Sequence, residues 1–210
     1  MAEQPTIAVT GTGLANGSPD QCRLRLSLNH FAQSTADALE MTAELATRAI
    51  AALADVQAEQ CEVRTVGLSV QDFFDKTQQK VTAHVGSYQL DLVVRPIDHA
   101  GRVLTALSSV VGDALQVQGI NLGVQDPEPL KSQARRSAIQ DAKKRAAEIA
   151  EEVGVQLGPI LSIQDENANP SSFADRVRPM SGYAAAANLP IEAGNFSVSS
   201  TVTLVYAIEG

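Results

Sequence analysis

Apolar and polar residues alternate along much of the chain. Between Cys22 and His30, Leu24, Leu26 and Leu28 are separated by polar residues, and this period of two predicts a strand with one wet face. Other alternating or β-rich stretches predict the remaining strands, at 7–13, 66–70, 88–94, 117–124, 160–163 and 196–208. Stretches 66–70 and 88–94 flank a polar connector at 75–82 and therefore predict a long hairpin.

A first helix is predicted after the second strand. Ser34 and Asp37 resemble a capping box, and the apolar residues that follow recur at steps of three or four. The stripe predicted to face the core consists of Leu39, Ala43, Ala46, Ile50 and Leu53.

Two more helices are predicted in the second half of the chain. One follows Asp98 and ends at Gly112, and the other begins after Asp126–Pro127 and ends at Gly154. The last helix carries an alanine-rich apolar stripe, with charged residues elsewhere. The stripe consists of Leu130, Ala134, Ala138, Ala142, Ala146, Ile149 and Val153. Strands and three helices in this mixed order predict the α+β class.

The 210 residues are taken as one domain, 1–210, with a long flexible loop at 167–194. The loop contains three prolines and four consecutive alanines, and a connection of that length in a compact protein is usually functional or disordered.

Composition narrows the classes of function. Hydrophobic residues make up 44% and charged residues 19%, with no tryptophan, so an ordinary globular protein with an aliphatic core is expected. Sixteen basic against 24 acidic residues give a net charge of −8, which disfavours nucleic acid as a partner. No apolar run is long enough for a transmembrane segment, and no signal peptide is expected at 1–6, although an exported protein with its leader removed would look the same.

The cysteines, Cys22 and Cys61, are too few for a disulfide framework. Cys22 shares the parity of Leu24, Leu26 and Leu28, which favours a buried apolar thiol. Two unpaired cysteines and a single bridge in an oxidising compartment both remain open.

Gly11, Gly13 and Gly17 are similar to a dinucleotide-binding fingerprint, but the last interval is one residue too long and a strand follows instead of a helix. A flexible turn is therefore favoured, and no cofactor is expected.

The titratable residues predict neither a catalytic residue nor a metal site. His30, His84 and His99 have no second ligand at helical spacing, and Asp72 and Asp75 lie at a strand end where both carboxylates would stay ionised.

The adjacent rings Phe73 and Phe74 are the hardest feature to place. Neighbouring residues on a strand point to opposite faces, so a loop or another subunit is expected to cover one ring. With Phe173 and Tyr183 of the loop, they form the predicted interaction surface.

Several segments resemble the SIMPL-domain family, whose known members include periplasmic immunogenic proteins and oxidative-stress defence proteins of bacteria. They are 7–13 with Pro19–Asp20, 65–70, Phe73–Phe74, 119–122, 126–127, 138–146, Gly154, 157–158, 190–191 and 198–208.

The resemblance implies curved antiparallel strands with three main helices packed on them, no catalytic residues, and a homo-oligomer, since a member of the family assembles into a ring-like or channel-like oligomer. It also implies a periplasmic or extracytoplasmic location, whereas a genuine lack of a signal peptide would imply the cytoplasm. The chain departs from the family in that missing export signal and in a plainer hairpin around Tyr88.

Two hypotheses of function follow. The first is a non-enzymatic, self-associating envelope or stress-related scaffold. The second is a binding module that holds a small apolar ligand or a partner peptide under the 167–194 loop. The third and weakest hypothesis is an enzyme with a hidden pocket that contains carboxylates of perturbed pKa.

Overall fold

The computed structural model describes residues 5–55, 61–75, 80–171 and 194–209. The elements, in chain order, are β1 (Thr6–Gly17), β2 (Gln21–Ala32), α1 (Thr35–Asp55), β3 (Cys61–Asp75), β4 (Lys80–Val94), α2 (His99–Val111), a short 3₁₀ turn (Gly112–Ala114), β5 (Leu115–Gly123), α3 (Glu128–Val153), β6 (Gln156–Ser171) and β7 (Phe196–Glu209). Three helices with antiparallel strands confirm the predicted α+β class.

The chain divides into two compact units. The first contains a three-stranded antiparallel sheet in the order β1–β7–β6, with α3 packed on it. The second contains a four-stranded antiparallel sheet in the order β3–β4–β2–β5, with α1 and α2. Whether the whole chain behaves as one domain stays a prediction.

In the first unit, β1 and α3 approach each other closely. The helix presents an alanine stripe, fully buried at Ala134, Ala138 and Ala142, to the face of β1 that carries Gly11 and Gly13. A Cβ added at Gly13 would lie 2.0 Å from the carbonyl oxygen of Ala134, and one at Gly11 would lie 2.2 Å from that of Ala138. The glycines that resemble a nucleotide fingerprint therefore make room for a helix.

A carboxylate of α3 also reaches the backbone of β1. The Thr12 amide donates to Asp141 Oδ2 over 2.9 Å, and Arg145 Nε lies 3.0 Å from the same oxygen. The hydrogen bond from Thr12, followed by that from Arg145, holds the pKa of Asp141 below its usual range.

In the second unit, the core lies between the sheet and the two helices. The inward residues of β2, predicted from alternation, are fully buried at Leu24, Leu26 and Leu28. The predicted hairpin is formed by β3 and β4. Gly112 ends α2 with φ of 55°, as predicted for a helix stop.

The stripe predicted for α1 is wrong in part. Leu39 and Ile50 are 45% and 43% exposed, whereas Ala46 and Leu53 are buried as expected. The buried stripe is Ala38, Thr42, Leu45, Ala46, Ala49 and Leu53. Small residues face the sheet because α1 packs directly over Gly86 of β4, whose added Cβ would lie 2.1 Å from Thr42 Oγ1.

β6 is longer than the sequence pattern predicts. Its pairing with β7 continues to Ser171, opposite Ser197, so residues 167–171 belong to a strand and not to the predicted loop. The remainder of that loop, 172–193, lies outside the described residues.

Candidate functional site

Three phenylalanines lie together at one end of the four-stranded sheet. Phe31, near the end of β2, is 57% exposed, and Phe73 and Phe74, at the end of β3, are 48% and 54% exposed. We call these three residues the aromatic end. Large apolar side chains grouped at a surface mark interaction sites.

The strand register explains why two of the rings meet. Phe31 lies opposite Val85 of β4, and Phe73 lies opposite Ala83, two residues away on the same strand. Residues two apart on a strand share a face, and the small Ala83 leaves space above β4. The rings of Phe31 and Phe73 pack edge to face, with centroids 5.5 Å apart and planes at 81°.

Phe74 is displaced from regular alternation. The register of β3 on β4 shifts between Phe73 and Phe74. Both rings remain about half exposed to solvent, so the described part of the chain supplies no full cover for either of them. Phe173 and Tyr183, which were predicted to join them, lie outside the described residues.

A histidine–carboxylate pair lies next to the aromatic end. His84 Nδ1 is 2.8 Å from Asp72 Oδ1 and 3.5 Å from the hydroxyl of Thr35, the first residue of α1. The Asp72 side chain is 65% exposed, so water screens the pair. The described residues contain no group of three or more histidine, cysteine, aspartate or glutamate side chains able to hold a metal ion.

The aromatic end continues into an outer strand. Within the described residues β3 pairs with β4 alone. Val63, Val66 and Leu68 of β3 are also exposed, each by more than 40%. An outer strand with open backbone groups and exposed apolar side chains is suited to pairing with another chain.

The depression on the outer side of α1 is a weaker candidate for a functional site than the aromatic end. Its lining comes from that helix alone and includes Glu40, Met41 and Arg48. One helix surface cannot enclose an apolar ligand, so this depression lends no support to the binding-module hypothesis.

The two cysteines are free thiols. Cys22 on β2 and Cys61 on β3 both lie opposite Val94 of β4, so a whole strand separates them. Two strand spacings amount to about 9–10 Å, which exceeds the separation of about 7 Å that a disulfide can span. A bridge would require the strands to move, so the unpaired alternative holds here.

Burial also makes these thiols unreactive. It raises the pKa of Cys22 to about 11, and burial followed by the charge of Glu62 raises the pKa of Cys61. We expect the native protein at pH 8 to react with a thiol reagent such as DTNB at well under a tenth of the rate in urea, because little thiolate forms and access is blocked. Rapid reaction of two thiols per chain in the native protein would contradict this expectation.

Comparison with known proteins identifies the family of this chain. The family model described as "SIMPL: Protein of unknown function (DUF541)" matches residues 7–206. The chain belongs to this family. The resemblance found in the sequence segments is thereby confirmed.

Similar proteins come from several bacteria. The 26 kDa periplasmic immunogenic protein of Brucella melitensis is 29% identical over 220 residues, which cover 100% of this chain and 87% of that protein. The uncharacterized protein YggE of Escherichia coli K12 is 27% identical over 174 residues, covering 80% of this chain and 69% of YggE. These names describe immunogenic or uncharacterised proteins and not enzymes.

A solved structure, the crystal structure of AtUAH in complex with glyoxylate, matches with a TM-score of 0.29 and 13% identity, covering 69% of this chain and 34% of that one. So low a score carries no argument about fold or function. Separately, none of the helices that the structure describes is both long and apolar enough to span a membrane.

Sequence reasoning identified Phe73 and Phe74 but missed Phe31. The signal was available: Phe31 shares the odd-numbered parity of Arg23, Arg25 and Asn29, so it is an aromatic residue on the wet face of β2. Its proximity to Phe73 depends on both strands pairing with β4, which no local pattern reveals.

Proposed function

We propose that this SIMPL protein is a non-enzymatic scaffold of the bacterial periplasm that acts by self-association. The exposed aromatic end carries the proposal. Burying the open half of one such ring would stabilise a contact by about 1 kcal/mol, and the rings of Phe31 and Phe73 already pack together, so one partner surface can cover both.

The chemistry around the aromatic end favours contact over catalysis. Beside the aromatic end, Asp72 and His84 pair with each other at a position that water screens, whereas acid–base catalysis favours an enclosed pocket. A contribution to stress defence would therefore come from assembly, since the buried cysteines do not suit thiol chemistry. The periplasmic placement is supported by the name of the Brucella relative.

Light scattering coupled to gel filtration tests self-association directly. We expect a mass of two or more times 22.1 kDa at tens of micromolar protein. A clean monomer across that concentration range would reject the proposal. Repeating the measurement in high salt would show whether apolar contacts dominate, because such contacts are not screened.

Replacing Phe73 with serine is expected to lower the assembled mass at a given concentration. The substitution removes both the ring itself and its edge-to-face contact with Phe31, while the far-ultraviolet circular dichroism should stay unchanged. The loss corresponds to roughly 1–2 kcal/mol per contact, which weakens association about five- to thirtyfold.

Leu14→Ser is the matched control for this variant. Leu14 is 58% exposed on β1, which belongs to the other unit, so its replacement removes a large exposed apolar side chain that is not part of the aromatic end. Equal effects of the two substitutions would mean that the aromatic end has no special part in assembly.

A further inference from the structure

We infer that two copies of the chain join through antiparallel pairing of their β3 strands, across a two-fold axis at Val70. The inference rests on the proposed self-association, because it names the contact through which two copies meet. The partner is thus the same strand of a second copy of the chain. The contact consists mainly of hydrogen bonds between backbone groups.

The first unit offers less suitable outer strands. In β1, the Thr12 amide already donates to Asp141, so α3 covers part of that edge. In β6, Pro159 and Pro170 lack amide donors, and the pairing with β7 shifts register three times. Prolines and irregularities are devices by which proteins block edge pairing.

The second unit has two outer strands, β5 and β3. β5 has nine residues, and Val117 is the large apolar side chain that it exposes. β3 has 15 residues, contains no proline, and exposes several large apolar side chains. β3 is therefore the least protected outer strand described.

Two register shifts determine which part of β3 is regular. They fall between Thr65 and Gly67 and between Phe73 and Phe74, so the segment from Gly67 to Phe73 alternates without interruption. We call it the regular segment. Its midpoint is Val70, and complete antiparallel overlap of the segment with its copy places Val70 opposite Val70.

The side chains are compatible with this register. Ser69 lies opposite Gln71, Leu68 opposite Asp72, and the central pair is two β-branched residues, a favourable cross-strand combination. No two like charges are opposed. Sliding the two-fold axis to Asp72 would place two carboxylates directly against each other, which is destabilising.

The ends of the regular segment fit as well. Gly67 lies opposite Phe73 of the second copy, and a Cβ at Gly67 would meet no described atom within 4 Å. Because glycine has no side chain, the residue directly opposite Phe73 does not displace the Phe73 ring from its contact with Phe31. The rings of both copies end up beside the new strand pair, which joins this contact to the aromatic end.

A charge-swap experiment at Val70 tests the register. Val70→Lys and Val70→Glu each place a charge opposite its own copy, so each variant alone should drop to about half the wild-type mass or less by light scattering. An equimolar mixture pairs Lys with Glu and should recover the wild-type mass. Val117→Lys on β5 is the matched control and should leave the mass unchanged.

The outcomes separate the two proposals. A monomeric wild type rejects self-association and this contact together. A wild type that assembles, with Val70→Lys assembling equally well, rejects pairing through β3 and leaves self-association standing. Loss of assembly in both single variants without recovery in the mixture rejects the register centred on Val70.

Cross-linking gives a second measurement that does not depend on adding charge. Under mild oxidation, Val70→Cys should form a covalent dimer by itself. Ser69→Cys should form one only when mixed with Gln71→Cys, because those positions are opposed across the axis. The native cysteines are buried and should not compete. A dimer formed equally well by Ser69→Cys alone would contradict the register.

Discussion

Replacing Gly13 with alanine is expected to lower the free energy of unfolding by about 3 kcal/mol. The new Cβ would lie 2.0 Å from the carbonyl oxygen of Ala134 and 2.4 Å from the amide nitrogen of Ala138. Both are backbone atoms of α3, so no side chain can turn away to relieve the overlap. Either α3 must move from β1 or the strand must bend, and the packing of the buried alanine stripe is lost in both cases.

Urea unfolding followed by circular dichroism measures this effect, with Gly119→Ala as the matched control. Gly119 also lies in a strand, β5, but its added Cβ would meet no described atom within 4 Å. There the change should be neutral or stabilising by about 0.5–1 kcal/mol, because alanine restricts the unfolded chain. Similar losses at Gly13 and Gly119 would show that the close approach of α3 is not what requires glycine.

The fold class could be predicted because half-buried strands report their inner face directly. Alternation marks Leu24, Leu26 and Leu28 as one face of β2, and all three are fully buried. Helix ends could be predicted equally well. Gly154, for example, follows α3 directly and adopts a positive φ of 73°. Such local rules need no knowledge of the partner element.

The inner faces of the helices were harder to predict, since they depend on what the helix packs against. In α3, Ile149 and Val153 satisfy helical spacing but are exposed, whereas Ala150 is buried. Close packing on a glycine-bearing strand selects the smallest residues of a helix, and larger neighbours are left outside. A stripe chosen by apolar size therefore errs in the same direction in α1 and α3.

The candidate site was predictable only in part for a related reason. Phe73 stands out locally because two aromatic residues in succession cannot share one face of a regular strand. Phe31 becomes its neighbour through β4, which pairs with both strands. The open edge of β3 likewise follows from the strand order of the sheet, and strand order is not a local property of the sequence.

Replacing Gly86 with alanine should also destabilise the protein, by roughly 2–3 kcal/mol. Its Cβ would lie 2.1 Å from Thr42 Oγ1 and 2.5 Å from the carbonyl oxygen of Ala38, both in α1. At Gly13 the two shortest contacts are with backbone atoms, whereas at Gly86 the shortest contact is with a side-chain atom. Among the described residues Thr42 Oγ1 has no hydrogen-bond partner although it is buried.

A double-mutant cycle with Thr42→Ala can therefore recover part of the loss. Removing the hydroxyl eliminates the shortest of the contacts, whereas the Ala38 carbonyl oxygen at 2.5 Å and the Cβ of residue 42 at 3.1 Å continue to push α1 from β4. We expect the double variant to be more stable than the sum of the single effects predicts by about 1 kcal/mol in urea unfolding. Strict additivity would mean that the contacts other than the hydroxyl set how near α1 comes to the sheet. The shortest of these is with the Ala38 carbonyl, so the helix backbone would then be the main reason that β4 carries a glycine, as for Gly13 and α3.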